Sequence, residues 1–403
     1  MKVLEPFLQW QQDIKAVRRD LHAHPELAFE EVRTADIVAK HLTDLGIEID
    51  RGLGGTGVVG IVRGTLPGDK AIGLRADMDA LPMLEENTFE HASRHEGKMH
   101  GCGHDGHTAM LLNAARYLAE HRDFPGTVYL IFQPAEEGGH AGAQKMIEDG
   151  LFKKFPMDAV FGMHNWPGMA VGEFGVTPGP IMASSNLFEI EIEGKGSHAG
   201  MPHLGSDSIV AAVQIAQALQ TIISRNRHPL EAAVLSITQI HAGSAMNVLP
   251  GIAEIKGTVR TFSMDVLELI ESRMQEVVTG IAQAMGCEGR LTFDRRYPPT
   301  INEEKQTAIC IDTMRSIVGD DRVNPSVVPT MGAEDFAFML QEVPGCYVWI
   351  GNGEGEHREA GHGMGPCMLH NGSYDFNDEL LPLGATYWVR LVQDWFKKSE
   401  KQG

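Results

Sequence analysis

Residues 99–132 read MHGCGHDGHTAMLLNAARYLAEHRDFPGTVYLIF and contain a glycine-rich loop, a helical stretch and an apolar run in that order. Residues 109–120 are rich in alanine and leucine, which predicts a helix, and the β-forming residues 127–132 predict a buried strand. Similar strands are predicted at 58–62, 71–74 and 159–162, with a helix at 143–148 between the last two strands. This alternation favours an α/β domain with a largely parallel sheet.

The pattern changes in the middle of the chain. SNLFEIEIEG (185–194) alternates strictly, which predicts a half-exposed strand, and 205–225 has the spacing of an amphipathic helix. Two strands, a helix and a last strand follow: 232–243, 253–262, 264–285 and 288–294. The order β-α-β-β-α-β is that of a split βαβ sandwich. We therefore expect a second domain at 183–296, inserted into a discontinuous domain formed by 1–182 and 297–403.

The flanking segments fit the first domain. Amphipathic helices are predicted at 6–23 and 30–46, and the α/β pattern resumes with a helix at 303–318, a strand at 346–351 and a helix at 379–397.

Composition excludes several classes of protein. The 403 residues carry a formal net charge of −20, which argues against a nucleic-acid or anionic membrane surface. Glu5 and Pro6 interrupt what would be the apolar core of a signal peptide, and no apolar run approaches the roughly 18 residues of a membrane span. The five cysteines are widely spaced and form no CxxC pair. We expect a cytoplasmic protein.

Polar clusters follow the predicted strands of the first domain. Asp77 and Asp79 come after 71–74, Glu136 and Glu137 after 127–132, and His164 after 159–162. Ligands of open α/β sheets bind outside the carboxyl ends of the strands. The clusters are therefore expected to meet in one crevice.

Several of these groups suit a metal ion. Cys102 and His104 are close together in a glycine-rich loop, and a thiolate with an imidazole suits Zn²⁺ and similar ions; a polar helix start capped by Asp105 is the alternative. Buried adjacent carboxylates repel each other, so a pair without a function is expected to be exposed to water. Beside a metal ion, one of Glu136 and Glu137 can ligate while the other acts as a general base.

Other assignments stay open on this reasoning. Asp77 and Asp79 can ligate, orient a ligand histidine or pair with Arg75. His164 is a candidate ligand only because it follows a predicted strand. His107 is expected to face the opposite side and is not counted as a ligand. The C-terminal candidates cannot be ranked by their pattern: His357, His362, Cys367 and His370.

Seven blocks of the sequence belong together. They are RRDLHAHPELAFEE (18–31), RADMDALP (75–82), MHGCGHDGHTAMLL (99–112), QPAEEGGHAGA (133–143), GMHNWPGM (162–169), GSHAGMPH (196–203) and HNGSYDFND (370–378). In this order and spacing they resemble the aminoacylase/carboxypeptidase family of dinuclear metallohydrolases, in the branch of hippurate hydrolase, plant indole-acetyl-amino-acid hydrolases and bacterial N-acyl-amino-acid deacetylases. The resemblance extends from about residue 10 to residue 390.

The resemblance implies roles for individual residues. The five metal-ligand positions are occupied by Cys102, His104, Glu137, His164 and His370. Glu136 stands at the general-base position, and His198 matches the histidine that polarises the scissile carbonyl. Asn247 and Arg260 match residues that hold the carboxylate of the substrate, and Asp79 matches an aspartate behind a metal ligand.

The resemblance also implies a fold and an activity. The fold is a zinc-peptidase-like α/β catalytic domain with an inserted ferredoxin-like lid, through which the chain forms a homodimer or higher oligomer. Two divalent ions per subunit, drawn from Zn, Mn, Co or Ni, support hydrolysis of small N-acyl amino acids to a carboxylic acid and a free amino acid. The alternatives are a dipeptidase or carboxypeptidase of the same family and a metal-binding scaffold without catalysis; the presence of both Glu136 and Glu137 argues against the scaffold.

Overall fold

A computed structural model describes residues 1–354 and 368–399 of the chain. The chain divides into two compact units. Unit 1 comprises Met1–Ile181, Ile301–Val328 and Asp335–Gly403, and unit 2 comprises Met182–Thr300 and Pro329–Glu334. Unit 1 is therefore assembled from segments that lie on both sides of unit 2 in the sequence.

Helices and strands alternate along most of the chain. The helices of the described residues are α1 (Glu5–Gln9), α2 (Gln11–Ala23), α3 (Val32–Asp44), α4 (His104–Glu120), α5 (Gly142–Glu148), α6 (Leu151–Lys154), α7 (Ser208–Thr221), α8 (Met264–Ala284), α9 (Glu304–Val318), α10 (Ala337–Glu342) and α11 (Leu380–Ser399). The strands are β1 (Glu48–Leu53), β2 (Gly57–Arg63), β3 (Leu66–Asp77), β4 (Pro125–Gln133), β5 (Ala159–Pro167), β6 (Phe174–Gly175), β7 (Gly179–Met182), β8 (Ser185–Glu193), β9 (Ser197–His198), β10 (Ala233–Ala242), β11 (Val248–Leu249), β12 (Ile252–Thr261), β13 (Glu288–Tyr297), β14 (Thr300–Asn302), β15 (Val323–Asn324) and β16 (Gly345–Gly353). In this part of the chain, no helix is both long and apolar enough to span a bilayer.

Unit 1 is built on an eight-stranded sheet with the order β1-β2-β4-β3-β5-β16-β6-β15. The central pairs β4/β3, β3/β5 and β5/β16 are parallel. The pairs β1/β2, β2/β4 and β16/β6 are antiparallel. The expectation of a largely parallel sheet is therefore wrong towards the edges, and the sheet is mixed.

Helix α4 lies in the core of unit 1 and is buried along most of its length. Its Gly106 approaches Phe376 so closely that a Cβ atom would lie 2.3 Å from the ring. The helix begins at His104 and not near residue 109, so the prediction placed its start too late. Similarly, the helix predicted at 6–23 is two helices, α1 and α2, which meet at Trp10. Strand β1 was not predicted.

Unit 2 contains a four-stranded antiparallel sheet with the order β10-β12-β8-β13. Strand β8 alternates as its sequence predicts: Phe188, Ile190 and Ile192 are buried, and the glutamates between them are exposed. Helices α7 and α8 add their apolar residues to the same core. The side chains of Asp207 and Ser263 accept hydrogen bonds from the first turns of α7 and α8, which fixes where each helix begins.

Candidate metal centre

Three neighbouring strands carry most of the candidate residues of unit 1. Strands β4, β3 and β5 are adjacent and parallel, so their carboxyl ends lie at one edge of the sheet. Asp77 ends β3, Glu136 and Glu137 follow β4, and His164 lies in the second half of β5. The convergence expected from the sequence is confirmed.

A tight turn brings Cys102 and His104 to the same edge. Gly103 between them has a φ of +91°, and a Cβ there would lie 2.4 Å from Nδ2 of Asn165 and 2.5 Å from the hydroxyl of Tyr374. Only glycine fits such a position. The side-chain amide of Asn165 donates to the carbonyl oxygen of Cys102 at 3.1 Å, which holds the turn against β5.

The potential ligand atoms form overlapping groups in which all members lie within 4.8 Å of one another. Three of these groups contain at least two of the predicted ligands each, namely Cys102 with His104 and His164, Cys102 with Glu137 and His370, and His104 with Glu136 and Glu137. Each sequence-predicted ligand therefore shares at least one group with another predicted ligand. Cys102 is common to the first two groups, and Glu137 to the last two.

His370 enters this cluster from the C-terminal part of the chain. Its Nε2 lies 3.1 Å from Oε1 of Glu137, and about half of its side chain is exposed. Its backbone N–H donates to the carbonyl oxygen of Gly101 at 2.8 Å, which ties it to the loop of Cys102. Three of the four C-terminal candidates, His357, His362 and Cys367, lie outside the described residues.

His104 is oriented as a metal ligand would be. Its Nδ1 lies 3.2 Å from Oδ1 of Asp79, while its buried Nε2 has no hydrogen-bond partner among the described residues. The second oxygen of Asp79 accepts the backbone N–H of Glu137 at 2.9 Å. Oδ2 of Asp77 lies 3.8 Å from Nε2 of His104, too far for a hydrogen bond. A metal ion would satisfy Nε2, so the donors present fit a divalent cation.

The electrostatics also favour a bound cation. Burial raises the pKa of the Cys102 thiol well above its usual value, and the negative charges of Glu137 and Glu136 raise it further. Burial lowers the pKa of His164 well below its usual value, with a contribution from His107, so that its imidazole is neutral. Burial alone would lower the pKa of His104, but Asp77 and Asp79 outweigh it and raise that pKa to about 10. A cation would replace these protons and offset the anionic charge.

Asp77 and His107 pair with each other beside the cluster. Nδ1 of His107 lies 2.6 Å from Oδ1 of Asp77, and Nε2 accepts the backbone N–H of Asn165 at 3.0 Å. The expectation that His107 faces the opposite side is therefore wrong. His107 forms a possible ligand group with Asp77 and His104, although both of its ring nitrogens already have hydrogen-bond partners. Nη1 of Arg75 donates to Oδ2 of Asp77 at 2.7 Å. Of the three possibilities for Asp77, the contact with Arg75 is present.

Asp105 has a different role from the helix cap considered above. The first turn of α4 has no side-chain cap, and Asp105 instead lies 2.8 Å from Nε of Arg18, which is fully buried in α2. His22 also contacts Asp105, with 2.8 Å between Nδ1 and Oδ2. Sequence reasoning assigned no role to Arg18, His22, Asn165 or Tyr374, although all four lie in the blocks that carry the resemblance.

The remaining candidates lie in unit 2. His198 is exposed on β9, where it pairs with Val248 of β11, and its Nδ1 accepts the N–H of Gly200. Asn247 is exposed beside this pair, and its carbonyl oxygen accepts the N–H of Ala199. Arg260 lies near the carboxyl end of β12, and its guanidinium has no hydrogen bond or ion pair among the described residues. Burial lowers the pKa of Arg260.

Comparison with known proteins places these residues in a family context. A profile of Peptidase family M20/M25/M40 matches residues 73–394. The chain is 39% identical over 397 residues to the hippurate hydrolase of Campylobacter jejuni, covering 98% of this chain and 100% of that protein. It is 39% identical over 389 residues to thermostable carboxypeptidase 1 of Saccharolobus solfataricus, covering 95% of each chain.

A solved structure agrees with this similarity. It is a Bacillus subtilis protein described as a dinuclear metal-binding peptidase of the M20 family. The fold of this chain matches it with a TM-score of 0.82 and 34% sequence identity, over 96% of this chain and 98% of the other.

Proposed function

The chain belongs to Peptidase family M20/M25/M40, and we propose that its function is the metal-dependent hydrolysis of the amide bond of N-acyl amino acids. It is an amidohydrolase, and its products are a carboxylic acid and a free amino acid. One observation carries the proposal: Cys102 belongs both to the group with His104 and His164 and to the group with Glu137 and His370. Two adjacent donor groups that share one thiol suit a pair of divalent ions.

The ligands of the two ions would be Cys102, His104, Glu137, His164 and His370. One thiolate, one carboxylate and three imidazoles accept Zn, Mn, Co or Ni. When bound, such ions act as Lewis acids towards a carbonyl oxygen and lower the pKa of water. Asp79 holds His104 and the backbone of Glu137, which fixes two of the ligands.

Glu136 is the general base of this mechanism. Its carboxylate is buried and lies in the group with His104 and Glu137, but unlike Glu137 it is not grouped with Cys102 and His370. It accepts a proton from the attacking water and later delivers a proton to the leaving nitrogen. The imidazole of His198 stabilises the negative charge that develops on the carbonyl oxygen.

Arg260 binds the α-carboxylate of the substrate. Its guanidinium is partly buried without a carboxylate partner among the described residues, which leaves it available for an anionic ligand. A guanidinium can bind a carboxylate through two parallel hydrogen bonds. This contact would make a free α-carboxylate a requirement for good substrates.

Unit 2 is proposed to be a ferredoxin-like lid that also forms a homodimer, with unit 1 as the catalytic domain. Within unit 2, Ile252 to Arg260 of β12 spans about 26 Å at the rise of a strand. Beyond the Ile252 end, the N–H of Gly194 donates to the carbonyl of Gly251, and the chain continues into the β9/β11 pair that carries His198. This length argues against a contact of one small substrate with both His198 and Arg260 of the same chain.

This separation supports an active site completed by a second copy of the chain. Arg260 of one subunit would bind the substrate together with His198 of the partner subunit and Asn247 of the partner subunit. The exposed apolar side chains of α7, including Ile209, Val210 and Val213, provide a surface for such a contact. Strand β10 is an edge strand of the same unit, so its outer side is open to pairing.

The buried thiols suit a reducing compartment, and we assign the protein to the cytoplasm. Cys102 must stay reduced to bind metal, and Cys310 and Cys346 are buried free thiols. A periplasmic or secreted location would expose the ligand thiol to oxidation.

The similarity to a thermostable carboxypeptidase supports a second activity, the hydrolysis of unblocked peptides from their carboxyl end. Both activities need Arg260, but a peptidase must also accept a free α-amine. Metal-reconstituted enzyme should be assayed with benzoyl-, acetyl- and indole-acetyl-amino acids and with the matching unblocked dipeptides. Faster turnover of the dipeptides would favour the peptidase.

The experiment that tests the mechanism compares Glu136→Gln with Glu137→Gln. If Glu136 moves protons without ligating, Glu136→Gln keeps its metal and loses about 10²–10⁴-fold in kcat. Glu137→Gln, the matched variant next in sequence, loses metal as well. Metal content and kcat are measured on the same samples. A Glu136→Gln enzyme that turns over normally, or that has lost its metal, contradicts the assignment.

A further inference from the structure

The loop that carries Glu136 and Glu137 contains a residue in an unfavourable backbone conformation. Ala135, directly before Glu136, has a φ of +53°, in the left-handed region. A Cβ atom disfavours this region, so residues other than glycine stay in it only when neighbouring contacts hold them there. The carbonyl oxygen of Ala135 accepts the N–H of Gly142 at 2.9 Å, which closes the loop on itself. A second contact, to the N–H group of Ala135, would hold the residue from its other side.

Glu31 provides that contact from a distant part of the sequence. It lies directly before α3 and is completely buried. Its Oε1 accepts the backbone N–H of Ala135 at 2.9 Å and that of Phe29 at 3.0 Å, and its Oε2 accepts the hydroxyl of Thr56 at 2.6 Å. The carboxylate thus joins the N-terminal segment and the β1–β2 turn to the loop of the proposed base.

The backbone N–H groups on the two sides of Glu136 are held by different carboxylates. The N–H of Glu137 donates to Asp79, which also contacts His104, whereas the N–H of Ala135 donates to Glu31. No hydrogen bond of Glu31 reaches any of the proposed metal ligands. Loss of the Glu31 side chain should therefore displace Glu136 more than it weakens metal binding.

We propose that Glu31 is a positioning residue that holds Ala135 at positive φ and thereby places the carboxylate of Glu136 for proton transfer. The proposal rests on the proposed function for the role of Glu136, but the contact between Glu31 and Ala135 is independent of it. Burial raises the pKa of Glu31 to about 7, although the hydrogen bond from Thr56 opposes this shift. A carboxyl group kept in such a costly place is consistent with a specific positioning role.

The first test compares Glu31→Leu with Glu31→Gln. Glutamine can keep all three contacts, because its carbonyl oxygen accepts both N–H groups and its amide can donate to the hydroxyl of Thr56. We expect Glu31→Leu to lower kcat about 10- to 100-fold, with KM and metal content close to those of the wild type. Glu31→Gln should retain most of the kcat. Equal losses in both variants, or loss of metal in Glu31→Leu, would overturn the proposal.

A second variant separates positioning from general destabilisation. Glycine adopts positive φ without a steric penalty, so adding Ala135→Gly to Glu31→Leu should recover part of the lost kcat, by several-fold. Ala135→Gly alone is the control, because relief of backbone strain would raise the stability of any variant. A gain in kcat confined to the Glu31→Leu background supports positioning. No recovery in a folded double variant counts against the proposal.

A third experiment measures the order of this loop by hydrogen exchange and needs no substrate. Amide hydrogen exchange of the peptide covering residues 133–143 should be faster in metal-free Glu31→Leu than in the metal-free wild type. Glu26→Leu is the matched control, because among the described residues the carboxylate of Glu26 accepts hydrogen bonds from the N–H groups of Arg33 and Thr34 in α3 and from no other group. It should leave the exchange of this peptide unchanged.

The exchange experiment remains decisive if the wild type hydrolyses no N-acyl amino acid. That result would remove the proposed function and leave the contact between Glu31 and Ala135 to be judged by exchange alone. Unchanged exchange in Glu31→Leu would overturn the positioning role whatever the substrate is.

Discussion

Asp79 contacts His104 with one carboxylate oxygen and the backbone of Glu137 with the other. The distances are 3.2 Å from Oδ1 to Nδ1 of His104 and 2.9 Å from Oδ2 to the nitrogen of Glu137. The first contact places the other imidazole nitrogen towards the ligand cluster, and the second fixes the start of a short turn that carries another ligand. One buried side chain therefore orients two of the five proposed ligands.

The first prediction concerns this double contact. Asp79→Asn loses the negative charge and one of the two acceptor oxygens, so metal affinity should fall about 10- to 100-fold. The measurement is competition with a chelator of known affinity. Asp158→Asn is the control, because Asp158 accepts the N–H of Ala71 on the same strand β3 but contacts none of the proposed ligands. Equal affinities of Asp79→Asn and the control would remove Asp79 from the centre.

The second prediction concerns the pH dependence of stability and rests on His22. Nδ1 of His22 lies 2.8 Å from Asp105, and Nε2 lies 3.0 Å from Glu85. Burial alone would lower the pKa of His22, but Asp105 and Glu85 outweigh it and raise it to about 9. A raised pKa means that the protonated imidazole stabilises the fold fully below its unfolded pKa of about 6.5, and that this contribution is lost as the pH rises through about 9.

The comparison is made between the wild type and His22→Gln, both without metal, by urea unfolding between pH 6 and pH 10. The unfolding free energy of the wild type should fall relative to the variant across this range, by on the order of 3 kcal/mol in total. Other titrating groups are common to both proteins and cancel in the difference. Parallel curves would show that His22 carries no extra proton in the fold.

The sequence predicts the elements with a clear period and misses those without one. Strand β8 and helices α9 and α11 lie within a few residues of their predicted bounds. Strands β6 and β15 have two residues each, too few for any alternation, and they turn the expected parallel sheet into a mixed one at that edge. Helix α4 begins among polar residues, and in the sequence such residues resemble a loop. They are buried because they contact the ligand cluster and α2, which the local pattern does not reveal.

The candidate site shows the same limit. The position of Asp77, Glu137 and His164 at or after predicted strands was enough to predict that they converge on one edge of the sheet, because parallel strands end there. Nothing in the local pattern separates His370 from its neighbours in sequence, and only the resemblance selected it. Glu31 ends the first of the seven blocks, but its local pattern does not predict burial, because a glutamate before a helix usually faces solvent. Its burial arises only when the N-terminal segment meets the loop of Glu136.

The third prediction concerns substrate recognition by Arg260. Arg260→Ala should lower kcat/KM for N-acyl amino acids about 10- to 100-fold, since a charge-assisted contact is worth about 1.5–3 kcal/mol. The methyl esters of the same substrates carry no anionic carboxylate, so their kcat/KM should change little. Arg260→Lys keeps the charge but not the paired donors. Its kcat/KM for N-acyl amino acids should lie between the values of the wild type and Arg260→Ala. Equal losses for acids and esters would make Arg260 a structural residue.

The last prediction concerns the subunit that supplies His198. Within unit 2, His198 lies beyond the Ile252 end of β12 and Arg260 lies near its other end, so we expect one small substrate to contact them from different chains. We expect His198 to act in the partner's site of a two-fold dimer and Arg260 to act in its own subunit. Mixtures of inactive variants test this, because activity returns only when the two defects fall in the same site. Glu136→Ala and His198→Ala are each nearly inactive alone, but their heterodimer contains one doubly defective site and one intact site. Random exchange yields about half heterodimers, so activity should recover to roughly a quarter of the wild type.

The matched mixture replaces His198→Ala with Arg260→Ala. Because Arg260 and Glu136 would serve the same site, every site of that heterodimer keeps one defect and no activity returns. Subunit exchange is verified with differently tagged chains, and light scattering establishes the dimer. Recovery in the Arg260 mixture alone would reverse the assignment and place Arg260 in the partner's site. An active site shared between subunits would be contradicted if both mixtures stayed inactive after verified exchange, or if the protein were a monomer in solution. His198 and Arg260 would then have to act within one chain, despite the length of β12 between them.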